Sequence, residues 1–294
     1  MSSAPPTLAD VVAVLEDLYP PSTAEGWDAV GLVAGDPAAP VRKVAFAVDP
    51  VAAVVTEALA WGADLLVTHH PLFLRPVHGV AATTFKGAVV HRLLTAGCGL
   101  YVAHTNADAA PRGVADALAD LVGITDRRPL VAGEDERPED AERGIGRVGR
   151  LAEPMTLRAF AEHVAEVLPP VAQGVRVAGD LDATVTTAAV VGGSGDSLFD
   201  AVRAAAVDVY VTADLRHHPA SELRERAEFE ASGVANRSAG TPFLVDVAHF
   251  ASEWPWLAYA ARDLSARLGE GTVTTKVSSL GTDPWDARVA SPGR

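Results

Sequence analysis

Residues 64–73, DLLVTHHPLF, run from an apolar strand straight into two histidines and a proline. Adjacent strand residues point to opposite faces, so two imidazoles serving only as core filler would waste one of them. Pro71 has no N–H and restricts His70 to an extended conformation, so the ladder should stop there and His69 and His70 should diverge. Two further stretches place a carboxylate four residues after a histidine. They are His104 with Asp108 in GLYVAHTNAD, and His249 with Glu253 in FLVDVAHFASE. A second doublet, His217 and His218 in LRHHPASEL, stands where a helix should start. Of the nine histidines, only His78, His91 and His163 lie elsewhere.

Imidazole and carboxylate ligands together suit zinc, iron, manganese or cobalt. One site with an open position needs about three protein ligands, and more candidates than that are present. Two divalent ions per chain are therefore expected, with zinc, iron or manganese the leading choices. Paired ions about 3.5–4 Å apart repel and need a bridging carboxylate or hydroxide. Asp108 and Glu253 offset only part of that charge, which favours hydroxide and a small anionic substrate. A lone histidine at a strand end is ordinarily structural. The doublet together with both His-x-x-x-Asp/Glu stretches carries the metal reading. Cys98 is the only cysteine, so one chain can build neither a disulfide nor a thiolate zinc site, and a buried inert thiol is expected.

The elements around these residues read as α/β. Thr7 caps a helix over 8–19; strands over 43–49, 64–70 and 99–105 alternate with helices over 51–62, 87–97 and 111–122. Residues 126–146, dense in charge, Pro and Gly, read as an exposed connection. A small βαβ-like unit follows over 147–180. Strands over 188–196, 207–214 and 241–250 then alternate with helices, a helix covers 254–268, and a last strand covers 272–279. ADLLVTHH answers VDVYVTAD, and CGLYVAHTNAD answers PFLVDVAHFASE. The expectation is two similar α/β lobes with mainly parallel sheets, related by internal pseudo-duplication, with a metal cleft at the strand carboxyl ends. The first lobe covers 1–125 and the second 126–294, with a C-terminal segment free to pack back on the first.

The net charge of −14 disfavours binding to nucleic acid or to a membrane surface. The N-terminus lacks a basic, apolar signal pattern, and no uncharged apolar run is long enough to span a bilayer, so a cytoplasmic protein is expected.

WDAVGL, VTHHPLF, HTNADAAPRGVADAL, GGSGDS, VTADLRHH and DVAHFASE resemble the signatures of the NIF-three-like dinuclear metal proteins, widely named GTP cyclohydrolase type 2 homologues. The resemblance spans about residues 8–280, in order. It implies two α/β lobes, a toroidal homohexamer, and metal ligands at His69, His70, Asp108, His249 and Glu253, with His104 beside them. Some members insert an extra domain in mid-chain, for which this sequence has too few residues between 126 and 186. The resulting expectation is a metal-dependent hydrolase of a small phosphorylated or nucleotide-like substrate, with His104 and His218 as proton carriers. The alternative is a non-catalytic metal-binding or metal-delivery assembly with regulatory partners. Thr68 speaks against a double-histidine phosphoesterase, which would carry aspartate there. GGSGDS (192–197) could cradle phosphate or be a plain turn. Trp27 reads as core, Asp28 as a cap or a cleft residue, and the C-terminal tail as loose.

Overall fold

Helix α1 (Leu8–Leu18) starts as its capping signal requires: Thr7 Oγ1 accepts from Asp10 N, and the Asp10 carboxylate accepts from Thr7 N. In the computed structural model, which describes residues 4–133, 142–232 and 240–290, the chain continues through β1 (Gly31–Ala34), β2 (Lys43–Ala47), α2 (Ala52–Trp61), β3 (Leu65–Thr68), α3 (Phe85–Thr95), β4 (Gly99–Val102) and α4 (Thr105–Ala109). It then forms α5 (Val114–Leu121), β5 (Ile124–Ala132), β6 (Gly144–Thr156), α6 (Leu157–Val167), β7 (Arg176–Ala178), β8 (Thr184–Ser194), α7 (Phe199–Ala205), β9 (Val209–Ala213), α8 (His217–Ser232), β10 (Phe243–Val247) and α9 (His249–Glu253). Helix α10 (Trp256–Leu268) and strand β11 (Thr274–Val277) close the ordered path. Two units result: residues 1–113 with 256–282, and residues 114–255 with 283–294.

In the first unit the sheet order is β1-β4-β3-β2-β11. Strands β11, β2, β3 and β4 are parallel, and only the edge strand β1 runs antiparallel. Every residue of β3 and β4 is buried, as in a parallel sheet covered on both faces. Helix α2 stops at Gly62, whose left-handed φ of 79° lets its N–H reach the Ala58 and Leu59 carbonyls. Cys98 is buried, and burial pushes its thiol pKa up to about 12, which leaves it an inert thiol.

The second unit departs from the sequence reading. Its order is β5-β6-β8-β9-β10-β7, and only β8, β9 and β10 are parallel. The pairs β5–β6, β6–β8 and β10–β7 are antiparallel, so this sheet is mixed and not mainly parallel. The stretch over 126–146 misled because its charges look solvated. The described parts of it lie in β5 and β6, while residues 134–141 lie outside the described residues. Just beyond it, Arg147 is only 2% exposed and forks onto Asp116 of α5 at 2.9 and 2.8 Å. The supposed βαβ unit also comes apart: β6 lies between β5 and β8, whereas β7 is the far edge strand. The units divide between Gly113 and Val114, where the sequence suggested 125/126, because α5 packs on β8 and β6 and the following β5 pairs with β6. Residues 256–282 join the first unit, where β11 adds to β2.

Candidate metal centre

In the first unit β3 delivers the histidine doublet. Backbone pairing outlasts the strand by two residues, with His69 N donating to Ala47 O and His70 N to Val48 O. Pro71 then removes the next donor. The His69 ring is fully buried against Trp256, whose Nε1 donates to Tyr19 Oη. His69 Nδ1 lies 2.9 Å from the Ala103 carbonyl, and His70 Nδ1 lies 2.7 Å from Asp49 Oδ1. Strand β4 ends two residues before His104, the N-cap of α4, whose Nδ1 lies 2.9 Å from Asp28 Oδ1. Asp28 also accepts from Thr105 N and Thr105 Oγ1, which fixes the cap. One ring nitrogen from each of His69, His70 and His104 lies within 4.8 Å of the other two, and Asp108 Oδ1 is 3.8 Å from His69 Nε2.

Each of these Nδ1 atoms faces an acceptor, so each carries the proton and leaves the ring's lone pair on Nε2. Burial, and then the neighbouring His69, push the His104 pKa below that of an ordinary histidine, and Asp28 opposes them. Burial would raise the Asp28 carboxyl, but the bonds from His104 and Thr105 hold it below the ordinary aspartate value. His104 is thus poised as a neutral imidazole beside the Asp28 carboxylate.

The second unit builds a matching piece by itself. His249 opens α9, so the four-residue spacing to Glu253 is one helical turn, and His249 Nε2 lies 3.0 Å from Glu253 Oε1. His249 Nδ1 lies 2.7 Å from Asp214 Oδ2. With His249 Nδ1–H donating to Asp214, Nε2 and Oε1 are two lone-pair atoms at contact. Such a pair repels unless a proton or a cation lies between them. Glu253 is 3% exposed, where a carboxylate needs a counter-charge. Gly193, at φ 66°, permits the approach: a Cβ there would stand 2.6 Å from Glu253 Oε1 and 3.2 Å from His249 Nε2. The donor set of both pieces fits divalent ions of the zinc, iron or manganese type.

The sequence profile of Duf34/NIF3 (NGG1p interacting factor 3) matches residues 6–284. The chain belongs to the Duf34/NIF3 family. A Streptomyces coelicolor protein named GTP cyclohydrolase 1 type 2 homolog is 52% identical over 290 residues, covering 97% of this chain and 96% of its own. A Mycobacterium tuberculosis protein of the same name is 37% identical, covering 95% of this chain and 96% of its own. That alignment runs over 381 positions against 294 residues here, so this relative carries residues that the present chain lacks. Among solved structures, a Staphylococcus aureus hypothetical protein superposes with a TM-score of 0.84 at 26% identity, covering 97% of this chain and all of its own.

Within this Duf34/NIF3 chain, the structure places other residues differently from the sequence reading. Asp49 and Asp214 hold His70 and His249, and the sequence reading passed over both. The available signal was position, since each ends a strand next to one that delivers a histidine. Asp214 also has a left-handed φ of 56°, a conformation that non-glycine residues adopt at a cost and often at functional sites. Trp27 is not core: it is 59% exposed and edge-on to His104 at 5.9 Å. GGSGDS is no phosphate cradle, because Gly193 N donates to Ser252 Oγ and Gly195 N to the Ala213 carbonyl. His217 and His218 stand exposed at the start of α8, their rings 5.2 Å apart, and neither bonds Asp214, His249 or Glu253 among the described residues.

Proposed function

We propose that His69, His70 and Asp108 of the first unit and His249 and Glu253 of the second hold two divalent ions for hydrolysis of a small phosphorylated or nucleotide-like substrate. The observation that carries this reading is the shared arrangement of His69, His70 and His249, each with Nδ1 held by an oxygen acceptor and Nε2 left for a ligand. Bound ions of this class supply Lewis acidity toward a substrate oxygen and acidify water. The chain's own residues then do the positioning. Asp49, Asp214 and the Ala103 carbonyl fix the ring planes of the ligating histidines. His104 Nε2, with its pKa depressed and its Nδ1 on Asp28, takes up a proton, and His218 is the second proposed carrier. The names of the curated relatives, GTP cyclohydrolase 1 type 2 homolog, support hydrolysis of a nucleotide-like compound.

The same reading includes a gene-internal duplication, with β3–β4–α4 answered by β9–β10–α9, and a metal cleft at the carboxyl ends of those strands. It also includes a cytoplasmic homohexamer. Among the described residues no helix is long and apolar enough to cross a membrane.

Elemental analysis of untagged protein tests the metal assignment directly. Wild type should hold about two divalent ions per chain, and His69→Ala and Glu253→Ala should each lose metal. Unchanged metal content in both variants would sink the assignment. Metal without chelator-sensitive turnover across a nucleotide and phosphoester panel would instead favour a metal-binding or delivery role.

A further inference from the structure

The second unit contains a cleft of about 680 Å³ whose wall includes Asp214, the residue that holds His249. That is an ordinary size for a small-molecule site. Gln173 and Arg176 line it from the segment leading into β7, and Trp285 and Arg288 line it from the C-terminal stretch. The tail expected to be loose therefore supplies part of a wall.

The chemistry of this wall is unusual for the chain. Acidic residues outnumber basic ones 38 to 24, yet two arginines meet here. Arg176 is fixed rather than free-swinging, since its Nε and Nη2 both donate to the buried Asp246 carboxylate. Asp246 is held in turn by Leu215 N. Arg288 has no carboxylate partner among the described residues. Trp285 leaves 66% of its surface open beside it. A guanidinium recognises phosphate oxygens, and an open indole stacks on a planar ring. The Gln173 amide offers a donor and an acceptor to the edge of such a ring. Asp214 in the same wall repels an anion, so a phosphate group is left to the arginines.

We infer that this cleft binds the phosphate ester of a planar heterocycle, a nucleotide-like ligand, with Arg288 and Arg176 on the phosphate, Trp285 stacked on the ring and Gln173 at its edge. The inference rests on the functional reading above, because it supplies that site with its substrate pocket through Asp214.

Calorimetry with GMP, guanosine and inorganic phosphate tests it on the full chain, both metal-loaded and chelated. GMP should bind wild type. Arg288→Ala should weaken GMP about tenfold or more and leave guanosine unchanged. Trp285→Ala should weaken both, and Trp285→Phe should recover most of the loss. The metal content of all three variants should equal that of wild type. The inference is overturned if GMP binds the variants as it binds wild type. It is equally overturned if GMP fails to saturate wild type at millimolar concentration in both metal states, or if phosphate alone matches GMP. Absence of metal from wild type would defeat the metal assignment alone, since GMP binding by the chelated protein still reports on the cleft.

Discussion

At the scale of residues, the candidate centre is defined by what stands behind each imidazole. Carboxylates from Asp49, Asp28 and Asp214 and the Ala103 carbonyl select one tautomer in four histidines, leaving the lone pair on Nε2 in each, three in the first unit and one in the second. Asp214 carries this argument furthest, because it adopts a left-handed backbone to reach His249. Asp214→Asn keeps the shape but removes the charge and can turn an N–H toward His249. It should weaken metal affinity about 10–100-fold, measured by competition with a chromophoric chelator. The candidate histidines and the carboxylates that follow them were legible in the sequence from doublet and spacing. The supporting aspartates were not, because a carboxylate at a strand end has many ordinary uses and only a neighbouring strand gives it a histidine to hold.

At the scale of elements, short helices do the positioning. The sequence reading extended strands through His104 and His249, but β4 stops at Val102 and β10 at Val247, and a single helical turn follows each. That turn converts a four-residue spacing into a 3.0 Å approach between His249 and Glu253, which an extended chain could not make. The stretch over 126–146 failed for a related reason, since charge in sequence does not reveal whether a partner exists: Arg127 within it pairs with Asp116 at 2.9 Å. Arg147 finds Asp116 as well as the Gly144 and Gly146 carbonyls in the interior. Asp116→Ala should therefore destabilise the fold by about 3–5 kcal/mol, by leaving a buried guanidinium without its counter-ion; chemical denaturation measures this. Strand β11 is tied to α2 by Lys276 and Ser278, both bonded to Glu57. Burial would raise the Glu57 carboxyl, but these bonds hold it below its ordinary 4.5. A depressed carboxyl adds stability above its unfolded value and loses it as pH falls through the folded one. The stability advantage of wild type over Glu57→Gln should thus shrink as pH drops below 4.5, followed by melting temperature across a pH series.

At the scale of the whole molecule, bound metal should act on stability as any ligand of the native state does. Loading at about a hundred times the dissociation constant is worth about 2.7 kcal/mol. Wild type should melt at a lower temperature after chelation and recover on adding back metal, whereas Glu253→Ala should show little of that difference. The Duf34/NIF3 resemblance, the α/β class and the candidate ligand types follow from the sequence itself. They rest on local signals, namely strand hydrophobicity, a proline after a doublet, and a histidine one turn before a carboxylate, and local signals survive without knowledge of partners. Three things needed the tertiary structure: the mixed character of the second sheet, the bounds 256–282 of the C-terminal segment that returns to the first unit, and the aspartates behind the histidines. Each depends on which strand lies beside which, a long-range pairing settled by collective burial of both faces and carried by no single segment of the chain.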